Sequence, residues 1–96
     1  MQDDKFEWDD TKARSNRLAH EGVTFEQARL VFDDLYAVEY EDDREAYGED
    51  RTNRIGYSGG ALLHVTYAMR GRRKRIISAR KAQAHEADSY FTRNEL

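Results

Sequence analysis

Residues 61–81, with the sequence ALLHVTYAMRGRRKRIISARK, decide the fold. Large apolar and aromatic side chains recur at every second position within residues 61–70, and this period of two predicts a strand. One side of this strand carries Leu63, Val65, Tyr67 and Met69. A turn is predicted at Arg70-Gly71-Arg72, and residues 73–79 predict a second strand centred on Ile76 and Ile77. The two strands therefore form a β-hairpin around which the other elements are placed.

The flanking sequence predicts two helices before the hairpin and one after it. Asp9 or Asp10 caps a first helix that runs to about His20 and ends near Gly22. A capping box at residues 24–27 opens a second helix. The apolar side of that helix is supplied by Phe25, Ala28, Leu30, Val31 and Phe32. The C-terminal helix is predicted over residues 83–93.

Further strands are predicted at residues 5–8, 35–41 and 51–58, with a hairpin turn at Gly59-Gly60. The acidic residues 41–50 are predicted to form a mobile loop. The order β-α-α-β-β-β-β-α indicates an α+β domain with a mainly antiparallel sheet. Residues 1–96 are expected to form a single domain, since a chain this short rarely supports two cores.

The composition excludes several classes of protein. There are no cysteines, which excludes disulfide scaffolds and Cys-based zinc sites. The three histidines lie on separate predicted elements, and the phosphate-binding and serine-hydrolase motifs are missing, so no metal and no cofactor are expected. No apolar run approaches the ~20 residues that span a bilayer, and no signal peptide is visible. We therefore expect a cytoplasmic protein without membrane contact.

Charge is segregated along the chain, although the net charge is only −3. Residues 1–50 hold 16 acids and 6 bases, whereas residues 51–81 hold 9 bases and no acid. Seven of the twelve residues 70–81 are Lys or Arg. A local positive field of this kind can attract a polyanion whatever the total charge is. The alternative is that the two blocks neutralise each other within one fold.

The last predicted strand is the main chemical signal. Alternation gives one face Arg73, Arg75 and Ile77. The other face receives Lys74, Ile76, Ser78 and Arg80. Arginine presents a planar fork that suits phosphate, so the strand is predicted to bind phosphate groups. The alternative is a solubilising hairpin whose arginine stems pack over apolar neighbours.

Four other side chains are candidates, and each has a structural alternative. His20 could exchange a proton near neutral pH, or it could favour the C-terminal end of a helix dipole. Tyr67 and Tyr90 could act on a substrate or belong to the core. Lys12, with Asn16 on the same helix face, could extend a polar surface or be solvated.

Four blocks of sequence carry a family resemblance. The first contains Phe6-Glu7-Trp8-Asp9, Lys12, Asn16, His20 and Gly22-Val23-Thr24-Phe25-Glu26. The second contains Glu49-Asp50-Arg51 and Ile55-Gly56, and the third contains Leu62-Leu63, Val65, Tyr67 and Arg70-Gly71. The fourth is Arg75-Ile76-Ile77-Ser78-Ala79-Arg80-Lys81-Ala82, followed by Glu86 and Tyr90. Together these blocks, over about residues 5–91, resemble the BrnT-type toxins.

The resemblance implies a RelE-like fold and a ribonuclease toxin of a type II toxin–antitoxin module that inhibits translation. Its partner would be a BrnA-type antitoxin with a ribbon-helix-helix domain. The two would form a heterotetramer of two toxins and two antitoxins, and only this complex would bind operator DNA. The sequence departs from the family pattern at Ala19, at an inserted Glu21, at Met69 and at Gln83. The insertion is expected to reshape the end of the first helix.

A ribonuclease that works without a metal ion needs a base, an acid and cations that stabilise the charge on phosphate. The cationic role is assigned to Arg75, Arg80 and Lys81. RNA binding is assigned to Arg70, Arg72, Arg73 and Lys74. The candidate acids and bases are His20, Tyr67, Lys12 and Tyr90, in falling order of preference. The alternative function is a non-catalytic basic sheet that binds an acidic protein or RNA. A DNA reader is disfavoured, because the cations lie on strands.

Overall fold

The computed structural model describes residues 1–43 and 48–95. Its elements are β1 (Phe6–Glu7), α1 (Asp10–Ala19), α2 (Phe25–Leu30), a 3-10 turn (Val31–Asp33), β2 (Val38–Asp42), β3 (Arg51–Ser58), β4 (Ala61–Arg70), β5 (Arg73–Lys81) and α3 (Ala84–Arg93). The strands form one sheet in the order β1-β5-β4-β3-β2. β1 pairs with β5 in parallel, and the other pairings are antiparallel. The predicted α+β class and the predicted order of elements are confirmed.

Several predicted boundaries are wrong. The strand predicted from residue 35 begins at Val38, because the Asp34 carboxylate accepts a hydrogen bond from the Tyr36 N–H at 2.9 Å and holds a turn. Leu35, at this turn, is 96% exposed. The loop predicted over residues 41–50 gives its first two residues to β2. Its residues 44–47 lie outside the described residues.

α1 and α2 cover one face of the sheet, which we call the helix-covered face. The sheet residues in this core are Leu63, Val65, Ile76 and Ala79. Trp8 is 4% exposed, and its ring meets that of Phe25 edge-on with 5.8 Å between the centroids. Leu30, predicted on the apolar side of α2, is instead 49% exposed, because it lies about 140° around the helix axis from the buried Phe25.

Asn16 joins α1 to β5. Its side-chain amide donates to the Ala79 carbonyl at 2.7 Å and accepts from the Ala79 N–H at 3.0 Å. It also donates to the Val23 carbonyl at 3.2 Å. Asn16 is therefore buried, and the expectation that it belongs to a polar or solvated surface is wrong. Paired hydrogen bonds of this kind hold the end of α1 beside the end of β5.

A β-bulge interrupts the pairing of β4 with β5. Tyr67 pairs with Ile76, but the preceding Thr66 pairs with Ser78, so Ile77 is an extra residue on β5. Side chains on the two sides of such a bulge lose their simple alternation. The faces predicted for β5 must therefore be corrected beyond Ile76.

The correction concerns which cations share a face. Arg75 lies opposite Ala68 of β4. Arg80 lies opposite His64, four residues earlier and therefore on the same side of β4. Lys74 lies on the helix-covered face, where its ammonium is 5.6 Å from the centroid of the Phe32 ring. The prediction that Lys74 and Arg80 share a face is wrong, and Arg80 instead shares the opposite face with Arg75.

α3 covers one end of the sheet face that lies opposite the helix-covered face. Tyr90 is 2% exposed and packs with Val38 and Ile55. On the other side of β3, the 3-10 turn approaches so closely that a Cβ at Gly56 would lie 2.9 Å from Val31 Cγ1. Gly56 is therefore required there for lack of space.

α1 ends at residues 20–22, where the insertion was predicted to reshape the helix. His20 is the C-cap of α1, and the inserted Glu21 has φ of 55°, a left-handed conformation that is uncommon for a residue with a side chain. Gly22 follows with φ of 81°, as predicted for a residue that ends the helix. No helix within residues 1–43 and 48–95 combines the length and apolar character that crossing a membrane requires.

Candidate functional site

The site begins where β5 leaves the sheet and α3 starts. Arg80 forms a bidentate pair with Glu86, in which its Nη1 and Nη2 donate to Oε1 at 2.7 Å and to Oε2 at 2.8 Å. The local sequence brings them together, because Gln83 and Glu86 form the capping box of α3. The Arg80 side chain is 29% exposed, whereas that of Glu86 is 4% exposed. A partly exposed guanidinium is thus fixed on a buried carboxylate.

Glu86 is ionised in this environment. Burial alone would raise its pKa, but hydrogen bonds from Arg80 and from the Gln83 N–H outweigh burial and lower the pKa from 4.5 to about 2. The Gln83 N–H donates to Oε1 at 2.8 Å, and His64 Nε2 lies 3.5 Å from Oε2. His64 Nε2 is also 3.0 Å from the Tyr40 hydroxyl. The carboxylate therefore lies in a connected polar network.

This lowered pKa predicts a loss of stability in acid. A carboxyl group whose folded-state pKa is depressed stabilises the fold above its ordinary pKa, and the contribution disappears as the pH falls from 4.5 towards 2. The shift corresponds to about 3 kcal/mol. We expect Glu86→Gln to be less stable than the wild type at pH 7 but to lose less further stability between pH 5 and pH 3. Urea unfolding at several pH values measures this difference, and equal pH slopes in the two proteins would refute it.

Arg75 lies on the same face as Arg80 but binds a different acid. Its Nη1 donates to Glu7 Oε2 at 2.6 Å, because parallel pairing of β1 with β5 sets Glu7 directly beside Arg75. The Arg75 side chain is 26% exposed. Since the β4 partners of Arg75 and Arg80 are four residues apart, the two Cα atoms are about 13 Å apart along the sheet.

A cavity of about 310 Å³ lies at the end of β5. It is lined by His20 from the end of α1 and by Arg80 and Lys81 from the end of β5. Lys81 also contacts Glu21 at 3.3 Å, but both side chains are largely exposed, so this pair constrains Lys81 only weakly. Three of the residues predicted for catalysis, one of them a histidine, are therefore neighbours in the structure.

The two tyrosines lie elsewhere and are bound to carboxylates. The Tyr67 hydroxyl donates to Glu39 Oε2 at 2.6 Å on the helix-covered face. Burial and this hydrogen bond raise the pKa of Tyr67 to about 12. The Tyr90 hydroxyl donates to Asp34 Oδ2 at 2.9 Å, and burial with this hydrogen bond raises the pKa of Tyr90 to about 12 as well. Both phenols are thus protonated at neutral pH, and neither lines the cavity.

The remaining predicted residues are spread over the surface. Lys12 is exposed on α1, eight residues and about 12 Å along the helix from His20. Arg70 pairs with Glu49 at 3.1 Å, and the Arg73 Nε donates to the Asp3 carbonyl at 2.7 Å. Arg72 is exposed at the turn between β4 and β5. Among residues 1–43 and 48–95, no cluster of three or more His, Cys, Asp or Glu side chains could hold a metal ion.

Sequence reasoning missed the acids that hold the two arginines, Glu7 and Glu86. Glu86 carried a usable signal, because Gln83-x-x-Glu86 has the spacing of a capping box and places the carboxyl beside the preceding strand. Glu7 carried no local signal, since it meets Arg75 only through a parallel pairing between distant segments.

The chain matches the model of a known protein family. The family model described as "Ribonuclease toxin, BrnT, of type II toxin-antitoxin system" matches residues 8–86, which is most of the chain. The matched region begins at Trp8 and ends at Glu86, and it includes the cavity and both arginines. None of the curated proteins compared with the chain matched it. The extent of the family match shows that this chain belongs to the BrnT family of ribonuclease toxins from type II toxin–antitoxin systems.

Proposed function

We propose that the chain is an endoribonuclease that cleaves RNA without a metal ion and inhibits translation in the cytoplasm. The observation that carries this proposal is the cavity in which Arg80 and Lys81 lie beside His20. Two cations beside a group that exchanges protons suit the cleavage of a phosphodiester. The RelE-like fold implied by the resemblance is part of the same proposal.

The proposed reaction begins with attack of a ribose 2′-hydroxyl on the adjacent phosphorus. The hydroxyl loses its proton to a base, the bond from phosphorus to the 5′-oxygen breaks, and an acid supplies a proton to that oxygen. The product is a 2′,3′-cyclic phosphate, which water can open to a 3′-phosphate. His20 is the best-placed acid or base, because it lines the cavity with the two cations.

The other predicted acids and bases have weaker support. Tyr67 and Tyr90 are held by Glu39 and Asp34, so each would have to break a hydrogen bond before acting as an acid. Lys12 lies about two helical turns from His20 along α1 and does not line the cavity. These three remain alternatives, and the loss of cleavage in each single variant would rank them.

The two arginines are proposed to serve different phosphates. Arg80, at the cavity, stabilises the charge that develops on the phosphate being cleaved, with Lys81 beside it. Arg75, about 13 Å away along the same face of the sheet, binds another phosphate of the same RNA. Arg70, Arg72, Arg73 and Lys74 then contribute to the positive field that attracts the RNA.

The function is tested by incubating the purified protein with RNA in EDTA. Cleavage that leaves cyclic or 3′-phosphate ends is expected, and growth arrest is expected when the chain is expressed in a bacterium without the neighbouring gene. Binding of RNA without cleavage would favour the alternative of a non-catalytic basic sheet. Cleavage that requires an added divalent ion would refute metal independence.

We further propose that the antitoxin is of the BrnA type, with a ribbon-helix-helix domain. Two toxins and two antitoxins would assemble, and operator DNA would be bound through the antitoxin in that complex. β5 and the turn before it are the proposed docking region, because the seven cations in residues 70–81 offer an acidic partner a strong local field.

This docking predicts an association rate that falls with salt. Opposite charges steer two proteins together, and salt screens this attraction over about 8 Å at physiological ionic strength. Replacing Arg73, Lys74 and Arg75 together by alanine is expected to lower the association rate constant more than it raises the dissociation rate constant. Stopped-flow mixing with the antitoxin at several salt concentrations measures both constants.

The matched control removes the same charge from other surfaces, using alanine at Arg14, Arg17 and Arg93. It should change the association rate constant much less than the β5 variant does. An association rate that is indifferent to salt and to the β5 substitutions would place the antitoxin elsewhere on the toxin.

A further inference from the structure

Glu86 is a buried acid that the proposed reaction does not use. Its Oε1 accepts hydrogen bonds from the Gln83 N–H at 2.8 Å and from Arg80 Nη1 at 2.7 Å. Its Oε2 accepts from Arg80 Nη2 at 2.8 Å. Because both oxygens are bound by one guanidinium, the plane of the Arg80 side chain is fixed as well as its position.

The network continues beneath the carboxylate. His64 is 5% exposed, and its Nε2 lies 3.5 Å from Glu86 Oε2 and 3.0 Å from the Tyr40 hydroxyl. His64 also lies opposite Arg80 across the β4–β5 pairing. The strand that carries Arg80 and the acid that orients it are therefore both tied to β4.

We propose that Glu86 is a positioning residue, which holds the guanidinium of Arg80 in one orientation beside the cavity that His20 and Lys81 line. His64 and Tyr40 support the Glu86 carboxylate from the sheet. This inference rests on the proposed function, and it assigns to Glu86 a task that acts on the substrate only through Arg80.

The physical reason is the flexibility of arginine. A long side chain that must be ordered when the substrate binds loses conformational freedom at that step, whereas one that is already ordered does not. A preorganised guanidinium also needs no rearrangement as charge develops on phosphate. Arg80 keeps 29% of its side chain exposed while bound to Glu86, so it remains accessible to a substrate.

A purely structural role is the competing explanation, because Glu86 also accepts from the Gln83 N–H and so caps α3. The two explanations differ in the Arg80→Ala background. If Glu86 acts through Arg80, Glu86→Gln lowers cleavage about tenfold in the wild type and has no further effect once Arg80 is absent. If Glu86 only stabilises α3, the substitution lowers cleavage equally in both backgrounds.

Chemical rescue gives a sharper comparison. Guanidinium ion at low millimolar concentration is expected to raise the cleavage rate of Arg80→Ala at least tenfold, since the vacated site keeps its carboxylate. The same addition to Arg80→Ala, Glu86→Gln should restore none. Sodium chloride at equal concentration controls for ionic strength, and circular dichroism confirms folding under the assay conditions. Equal rescue of the two variants would overturn the proposal.

A measurement that does not depend on cleavage separates this inference from the proposed function. In the wild type, the Arg80 Nε–Hε group should show an NMR order parameter close to that of the backbone, whereas exposed Arg72 should be mobile. In Glu86→Gln the Arg80 order parameter should fall towards that of Arg72. A mobile Arg80 in the wild type would overturn the positioning role even if RNA is cleaved. An ordered Arg80 in a protein that cleaves no RNA would instead refute the proposed function.

Discussion

Replacing both Arg75 and Arg80 by alanine is expected to remove RNA cleavage and toxicity almost completely. Loss of one preorganised donor at a developing negative charge lowers kcat by about 100-fold or more. Arg80→Ala alone should therefore act mainly on kcat. Arg75→Ala should act mainly on KM, because a neighbouring phosphate is bound equally in the ground state and the transition state. The measurements are steady-state cleavage of a short RNA and growth after induction.

The pairing of Arg80 with Glu86 means that this experiment needs a control for stability. Exposed arginines can usually be replaced at little cost in stability, but Arg80→Ala leaves the carboxylate of Glu86 buried without its main partner. Such an unpaired charge destabilises a fold by roughly 3–5 kcal/mol. Thermal melts must therefore accompany the assay, and Arg80→Ala, Glu86→Gln provides a version without the buried charge.

The matched control for charge is alanine at Arg14 and Arg17, which are exposed on α1. This pair removes the same two positive charges and should leave cleavage close to the wild-type level. A folded Arg75→Ala, Arg80→Ala variant that retains full toxicity would refute a catalytic role for the sheet face that carries Arg75 and Arg80.

Local pattern was sufficient to predict most elements of the fold. The period of two in residues 61–70 predicted β4, although the centre of that strand is buried on both sides, and the capping box at Thr24 predicted the start of α2. The bulge at Ile77 could not be predicted in the same way. Both Ile76 and Ile77 are apolar, so the sequence itself does not say which of them is the extra residue in the ladder.

The candidate site was predictable in its cations and not in its acids. The density of Lys and Arg in residues 70–81 marks β5 as basic from the sequence alone. That His20 meets Arg80 and Lys81 depends on the Asn16 contacts with Ala79, which join segments 63 residues apart. The pairing of Glu7 with Arg75 likewise depends on the parallel β1–β5 contact. Long-range contacts of this kind leave no periodic signal in the sequence.

Trp8→Ala is expected to have the largest effect on stability. The ring is 4% exposed and packs against Phe25, which is fully buried. Removing it leaves a cavity and costs about 3–5 kcal/mol of the free energy of unfolding. A small domain has roughly 5–15 kcal/mol in total, so the variant should be largely unfolded on mild heating. Urea unfolding followed by circular dichroism measures the loss, since the variant has no tryptophan to report by fluorescence.

Two comparisons make the result specific to burial. Leu35→Ala removes a side chain that is 96% exposed and should change the free energy of unfolding by about 0.5 kcal/mol or less. In the wild type, Trp8 emission should be blue-shifted and should move to longer wavelength on unfolding. Emission of the native protein close to that of free tryptophan would contradict the burial. Because Trp8 directly follows β1, such a result would also question the seating of Glu7 beside Arg75, and with it the proposed binding of a neighbouring phosphate.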